Sequence, residues 1–327
     1  MILTLAIPTY RRPELLHKAL HAIARQIDGR ADVGIAVYDD SDGAANAPVI
    51  ERLRQQFPRT ALDYRVNPAN LGIDENIKQC LMRPKSEYVW LLGEDDLLTD
   101  GAVDKVMQAL ERERPVFLFA NYIYCDDRHA RFARHAVLPE QPGARRIRFD
   151  DFASRWIWAL GFIGGCVVRA ADWRRQPVER YRGSYYSHVG GIVDAAVGGE
   201  IVVVGDVLVL NRAEDVNTFT WSRSTFDVYF SFYSVLRASR LAENPRLLAA
   251  CESAAARLFA VGSLSWLAAK RADGVFDHEA FDAHYATNPF RGRAWKLGAR
   301  LVAVFPRAPL RWLRRAHLRQ RFSREAI

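Results

Sequence analysis

The sequence has no closely spaced pair of cysteines. Its four, Cys80, Cys125, Cys166 and Cys251, lie far apart with no C-x-x-C among them. That spacing argues against a disulfide framework and a cysteine-based zinc site, and fits reduced structural thiols in a cytosolic protein. No segment approaches the roughly 18 uncharged apolar residues that a bilayer span requires. The longest candidate, Trp156 to Val168, is too short and is interrupted by glycine. The N-terminus enters a strand pattern at once, Met1-Ile-Leu-Thr-Leu-Ala-Ile7, without a basic leader, so no secretory signal is expected. Internal repeats and low-complexity segments are also missing.

Positive charge is scarce where a nucleic-acid surface would need it. Residues 291–327 hold 11 Lys and Arg and one acidic residue, Glu325. The first 290 residues therefore carry 35 basic and 37 acidic side chains, and the formal net charge of +8 belongs to the tail. This excludes a basic nucleic-acid footprint across the body and points to an anionic partner near the C-terminus.

What is present is an alternation of strand-like and helix-like segments. Ile2–Ile7 is an apolar run, and Pro13 opens a helix whose Leu15, Leu16, Ala19, Leu20 and Ile23 recur at helical spacing. Further strands are expected at Val33–Tyr38, Leu62–Val66, Tyr88–Leu92 and Val116–Tyr122, with helices at Asp74–Leu81 and Ala102–Leu110. Residues 125–155 read as a polar excursion containing the basic patch Arg145-Arg146-Ile147-Arg148. Two more strands follow at Phe162–Val168 and Ile201–Leu210, and an alanine-rich helical pattern runs from Phe226 to Leu267. The fold class is α/β: a mainly parallel sheet with helices on both faces, followed by a helical C-terminal region. Ligands of such sheets bind beyond the carboxyl ends of the strands.

Three polar clusters fall at that edge. Trp90-Leu-Leu-Gly-Glu-Asp-Asp-Leu-Leu98 places three carboxylates at the end of an apolar strand. Like charges packed this closely are costly unless a cation neutralises them, and carboxylate oxygens suit Mg²⁺ or Mn²⁺. The plain structural account is an acidic helix start. Asp39-Asp40-Ser41-Asp42-Gly43 ends the second strand; it reads as a turn, or as a carboxylate placed to accept from a base edge. Asn67-Pro-Ala-Asn-Leu-Gly-Ile-Asp-Glu-Asn76 is a turn leading into a helix.

In order, Ile7-Pro-Thr-Tyr-Arg-Arg-Pro13, Val37-Tyr-Asp-Asp-Ser41, Asn70-Leu-Gly72 with Asn76, and Leu91-Leu-Gly-Glu-Asp-Asp96 closely resemble the successive motifs of family 2 glycosyltransferases. Within that family they look most like the abequosyltransferase-type branch of bacterial surface-polysaccharide enzymes. The likeness is strong over about residues 2–125 and looser over 160–215. It implies a GT-A fold, a nucleoside-diphosphate sugar donor, a divalent metal (Mg²⁺ or Mn²⁺) and inversion at the anomeric carbon. By motif position Asp40 contacts the base, while Pro8, Thr9, Tyr10, Arg12, Asn70, Gly72, Asn76 and Glu94 belong to the nucleotide-sugar site. Asp95 is the main metal ligand, supported by Asp96 and Glu94. Gly93 stands where the commoner D-x-D spelling has its first acid, which implies weak metal affinity.

The reaction also needs a base for the acceptor hydroxyl. Leu210-Asn211-Arg212 resembles the strand-end element that follows the family's base, and this places the base at His188, with Asp194 as the fallback. A polar loop histidine and a capping acid are the ordinary readings of these two residues. Trp156, Trp158 and Trp173 could stack on a sugar but are more ordinary as core. His129 and His135 are expected at the surface.

Residues 1–225 are therefore expected to form the GT-A domain, with 1–125 as the nucleotide-sugar half and 126–225 as the acceptor half. Residues 226–290 would be a helical extension and 291–327 a basic amphipathic tail. The tail carries Trp295, Leu297, Leu301, Val304, Leu310, Trp312, Leu313 and Leu318 among arginines, which suits an anionic membrane surface without spanning it. A helix packed on the body is the alternative. The expected partners are a nucleoside-diphosphate sugar, a polyprenyl-linked glycan acceptor and the cytoplasmic face of the bacterial plasma membrane. Two other readings remain: a non-catalytic sugar-nucleotide-binding assembly protein, suggested by the missing first acid, and a nucleotidyltransferase. The latter would want a glycine-rich phosphate loop after the first strand, and Pro8-Thr9-Tyr10-Arg11-Arg12 has no glycine.

Overall fold

The computed structural model describes the chain except for residues 42–43, 127, 130, 134, 213–224, 260–262, 287–291, 322–323 and 326–327. Strand β1 (Leu3–Thr9) lies at the centre of the sheet, fully buried because both of its faces are covered. Helix α1 (Pro13–Ile27) follows, started by the proline and docked through Leu16, Ala19, Leu20, Ile23, Ala24 and Ile27. Next come β2 (Val33–Asp39), α2 (Ala47–Gln56), β3 (Leu62–Val66), α3 (Ile73–Met82) and β4 (Tyr88–Leu91). The four strands β3, β2, β1 and β4 pair in parallel in that order. Helices α1 and α2 pack together, while α3 covers β1, β2 and β4.

After β4 the order becomes mixed. A two-residue strand β5 (Leu97–Leu98) is followed by α4 (Ala102–Glu113), β6 (Phe117–Cys125) and the short β7 (Arg131–Phe132). Strand β8 (Ala144–Arg148) then leads into α5 (Phe149–Trp156), and β9 (Cys166–Arg169) inserts antiparallel between β4 and β6. Helices α6 (Ala170–Arg174) and α7 (Ser187–Ala196) precede the long β10 (Glu200–Arg212). That strand runs parallel to β6 and antiparallel to β5 and β8.

The basic patch expected inside a polar excursion is thus a strand. Arg145–Arg148 pair with Ile201–Val203 and Glu200 at the sheet edge, where charged side chains remain exposed or half-buried while the backbone completes a ladder. The strand expected over Phe162–Val168 is confined to Cys166–Arg169, because Ile157–Gly165 is wound into two short 3₁₀ turns.

The remaining helices are α8 (Thr225–Ala238), α9 (Pro245–Phe259), α10 (Leu264–Asp273), α11 (His278–His284), α12 (Arg293–Val304) and α13 (Arg307–Arg321). Val228, Phe232, Val235 and Leu236 of α8 and Cys251, Ala254 and Ala255 of α9 join the core of the sheet domain. Phe226, Leu267, Phe276, Phe281, Tyr285, Ala299 and Ala303 form a second cluster. Packing therefore runs across residues 225 and 290. The tail is held to the body: Arg311 donates to the Ala272 carbonyl at 3.1 Å and Arg314 pairs with Asp273, at the C-terminal end of α10. Its other face is open. Leu297, Leu301, Val304, Phe305, Trp312 and Leu313 are 47 to 71 % exposed. Among the described residues no helix is long and apolar enough to cross a membrane.

Candidate active site

The carboxyl ends of β1, β2 and β4 bring the sequence clusters to one edge. Leu92 continues the ladder, its N–H donating to Ala6 at 3.0 Å, and the chain then turns at Gly93. A Cβ at Gly93 would lie 2.3 Å from Asp96 Oδ2, so the space of a first acid is taken by the Asp96 carboxylate. β5 follows immediately and pairs Leu97 with Leu210 and Leu98 with Val209. That short pairing carries the end of β10 over the acidic turn.

The three acids have distinct surroundings. Glu94 faces β1: it accepts from the Thr9 hydroxyl and from the Tyr10 N–H at 2.9 Å, and lies 3.5 Å from Arg12 Nε. It pins the Pro8–Arg12 loop to the end of β4. Burial pushes its carboxyl up to about 7, against the lowering effect of those hydrogen bonds. Asp95 Oδ2 is 3.3 Å from Arg12 Nη1 and 3.9 Å from Arg212 Nη1. Asp96 is buried and accepts the Arg212 N–H at 3.3 Å. Burial, and then the charge of Asp95, raise its carboxyl well above the usual range.

His129, expected at the surface, is half-buried beside this turn, with Nε2 3.2 Å from the Asp95 carbonyl oxygen and its pKa lowered by burial. Its sequence neighbourhood, rich in arginine, held no signal for this.

The second cluster is a different object. Asp39 is fully buried and accepts from the Ser41 N–H (2.9 Å) and hydroxyl, Asn46 Nδ2 (3.0 Å) and the Tyr64 hydroxyl (2.7 Å). Asp40 accepts from Asn67 Nδ2 at 2.9 Å. Asn67 also reaches Asn76 Oδ1 at 3.2 Å, and Asn76 donates to the Tyr38 carbonyl at 3.0 Å. Asn76 thus ties α3 to β2. Asn70 accepts from the Gly72 N–H at 2.9 Å, closing the turn in which Gly72 takes φ +80°. Asp42 and Gly43 lie outside the described residues. Asn46, Tyr64 and Asn67 had no individual signal in the sequence.

The two candidate bases sit on α7. His188 is 1 % exposed, and Nε2 is 3.1 Å from the Leu160 carbonyl oxygen. A carbonyl only accepts, so this contact assigns the proton to Nε2 and leaves a lone pair on Nδ1, which has no hydrogen-bond partner among the described residues. Burial lowers the ring's pKa to about 4. Asp194 is also buried and heavily engaged: it accepts from Arg180, from the Tyr181 hydroxyl at 2.6 Å and from the Arg240 N–H at 2.8 Å. It fastens α7 to the segment before it and to the turn after α8. Trp173 is core, its indole N–H 3.4 Å from the His188 carbonyl oxygen, while Trp156 and Trp158 are half-buried against the same core.

Carboxylate oxygens suit a hard cation, and Asp95 with the buried, poorly compensated Asp96 is such a donor set. Among the described residues no three His, Cys, Asp or Glu side chains form a metal cage. A site of one or two carboxylates completed by phosphate oxygens needs none.

Comparison with known proteins identifies the family and the fold. The family described as Glycosyl transferase family 2 matches residues 4–174. The chain is 29 % identical over 120 residues to an abequosyltransferase of Salmonella typhimurium, covering 36 % of this chain and 35 % of that protein. It is 31 % identical over 107 residues to the GalNAc(5)-diNAcBac-PP-undecaprenol beta-1,3-glucosyltransferase of Campylobacter jejuni, covering 32 % and 33 %. The matched stretch thus spans about a third of either relative. In fold, the chain is similar to S. aureus TarS 1-349 in complex with UDP, with a TM-score of 0.61 at 15 % identity over 100 % of this chain and 94 % of that one. It also resembles a mannosyltransferase of Pyrobaculum calidifontis in complex with GDP-Man and Mn²⁺, with a TM-score of 0.52 at 15 % identity over 97 % and 84 %. With the motifs on one edge of this sheet and the family matched across half its length, the chain belongs to glycosyl transferase family 2 and has the GT-A fold.

Proposed function

We propose that this chain is an inverting glycosyltransferase, moving a sugar from a nucleoside diphosphate to a hydroxyl of a glycan acceptor. The observation that carries the proposal is the acidic turn Glu94–Asp96, held against the β1 loop by Glu94 and flanked by Arg12 and Arg212. Asp40, at the end of β2, would accept from the base, and the Pro8–Arg12 loop would line the nucleotide. Asp95, with Asp96, would hold Mg²⁺ or Mn²⁺, which stabilises negative charge on a leaving diphosphate.

The acceptor oxygen attacks the anomeric carbon from the face opposite the diphosphate, and the bond from that carbon to the diphosphate oxygen breaks. The acceptor's proton needs a base. We assign that role to His188, because Nδ1 keeps its lone pair while Asp194 is spent on Arg180, Tyr181 and Arg240. The role requires the acceptor hydroxyl to reach a ring that is only 1 % exposed.

The names of the two relatives support an acceptor in surface-polysaccharide synthesis, and that of the Campylobacter relative a lipid-linked one. The outward apolar face of α12 and α13, set among arginines, would then rest on an anionic membrane at the cytoplasmic side.

Nucleotide-sugar donors screened by thermal shift with Mn²⁺, followed by transfer assays on the donor that binds, test the reaction. Failure of every donor to shift the protein or to be turned over would end the proposal. Sedimentation with phosphatidylglycerol vesicles tests the tail: binding should weaken with salt and be lost in a Leu301→Asp/Trp312→Asp double variant.

A further inference from the structure

Arg12 and Arg212, 200 residues apart, meet on a single atom. Arg12 Nη1 is 3.3 Å and Arg212 Nη1 3.9 Å from Asp95 Oδ2. Arg12 also lies 3.5 Å from Glu94, and the Arg212 N–H donates to Asp96 at 3.3 Å. The Arg212 side chain is only 11 % exposed, so its guanidinium is held at this edge. The carboxylate that a cation would use is therefore already paired, by two cations of the protein's own.

A divalent ion arriving alone must either displace guanidinium from Asp95 Oδ2 or take the other carboxylate oxygen with two positive charges alongside. A diphosphate removes that obstacle. Its oxygens accept the forked N–H groups of arginine and ligate the ion as well. We infer that Arg12 and Arg212 guard Asp95, so that cation and nucleoside diphosphate enter as a coupled pair, each weakly bound without the other. The inference rests on the donor-site reading above and adds Arg212 to the groups that contact the diphosphate. Because coupling between two ligands is reciprocal, the arginines must raise the affinity of each for the protein already holding the other.

The test is Mn²⁺ titration into the full chain, followed by the electron paramagnetic resonance signal of free Mn²⁺. It is run alone and then with saturating UDP, CDP, GDP or dTDP, on wild type, Arg212→Gln and Arg212→Lys. At least one diphosphate should tighten Mn²⁺ binding to wild type by about tenfold or more, within the usual range of site coupling. Arg212→Gln should bind Mn²⁺ alone several-fold tighter than wild type and lose most of the gain from the diphosphate. Arg212→Lys, which keeps the charge without the fork, should fall between them. The Mn²⁺-only arm needs no nucleotide and judges the guard by itself: equal affinity in wild type and both variants overturns it. A diphosphate gain unchanged in the variants overturns the coupling alone. Absence of any gain in wild type overturns the coupling and the donor reading together.

Discussion

Two strand ends in this molecule carry neighbouring acids, and they do opposite things. At the end of β2, Asp39 is surrounded by neutral donors: Ser41, Asn46 and Tyr64. At the end of β4, Asp95 has guanidiniums alongside, and burial together with the charge of Asp95 pushes Asp96 towards its protonated form. The first arrangement is complete without a ligand. The second concentrates charge that only a counter-ion or a proton can settle. Similar letters thus mark neutral hydrogen bonding around Asp39 in one place and charge against charge around Asp95 in the other, and the identity of the donors around them makes the difference.

The largest effect expected from breaking this contrast is on turnover. Asp95→Ala should lower transfer by about 10³-fold or more, on the scale of losing a main electrostatic contact to the leaving group. Its unfolding midpoint in urea should move little, because the side chain is partly exposed. Normal turnover would remove Asp95 from the site.

Asp39→Ala should do the reverse. It leaves the buried Asn46 amide and the Ser41 and Tyr64 donors without their acceptor, at a cost of about 3 kcal/mol of stability. Equilibrium urea unfolding measures this, and a loss below about 1 kcal/mol would show that the network is replaceable.

A third buried titratable group sharpens the comparison, because no acid is hydrogen-bonded to it. The unfolded chain protonates His188 near its ordinary 6.5, whereas the folded chain resists until about 4. Between those values unfolding takes up a proton, so stability falls as pH drops from 6.5 towards 4, by up to about 3 kcal/mol. In His188→Gln that part of the pH dependence should vanish, as read from urea midpoints at pH 6.5 and 4.5. An unchanged slope would show that the fold lets the ring take up a proton as readily as the unfolded chain does.

The smallest effect concerns the missing acid. Gly93→Ala drives a Cβ against the Asp96 carboxylate, and about 1–3 kcal/mol of destabilisation is expected from overpacking. A variant as stable as wild type would mean that Asp96 readily turns away, leaving room for the commoner spelling.

Much of the first 125 residues was legible because its signals are local. The periods of β1, α1 and β2, the Pro13 helix start and the acidic end of β4 each follow from neighbours in the chain. Elements that depend on distant partners were less so. β8 has the composition of a solvated basic loop and becomes a strand only because β10 offers it an edge. His129 lies in an arginine-rich stretch and reaches the site only because the chain folds back over Asp95. Nothing near Arg212 in sequence announces Asp95; the Leu97–Leu210 pairing places it there. His188 and Asp194 illustrate the same limit. Both were legible as candidates only through the resemblance to the family's base position, and only packing shows one with an open lone pair and the other bound to three donors.

The order of apolar runs and acidic turns along the chain was enough to determine an α/β sheet with its polar motifs on one edge, because side-chain period and strand direction are local properties. Which acids meet neutral donors, which meet guanidinium and which candidate base keeps its lone pair were decided by tertiary structure alone. Those states depend on charges and donors brought within a few ångströms from residues up to 200 positions away, and Coulombic and hydrogen-bond energies follow distance in space.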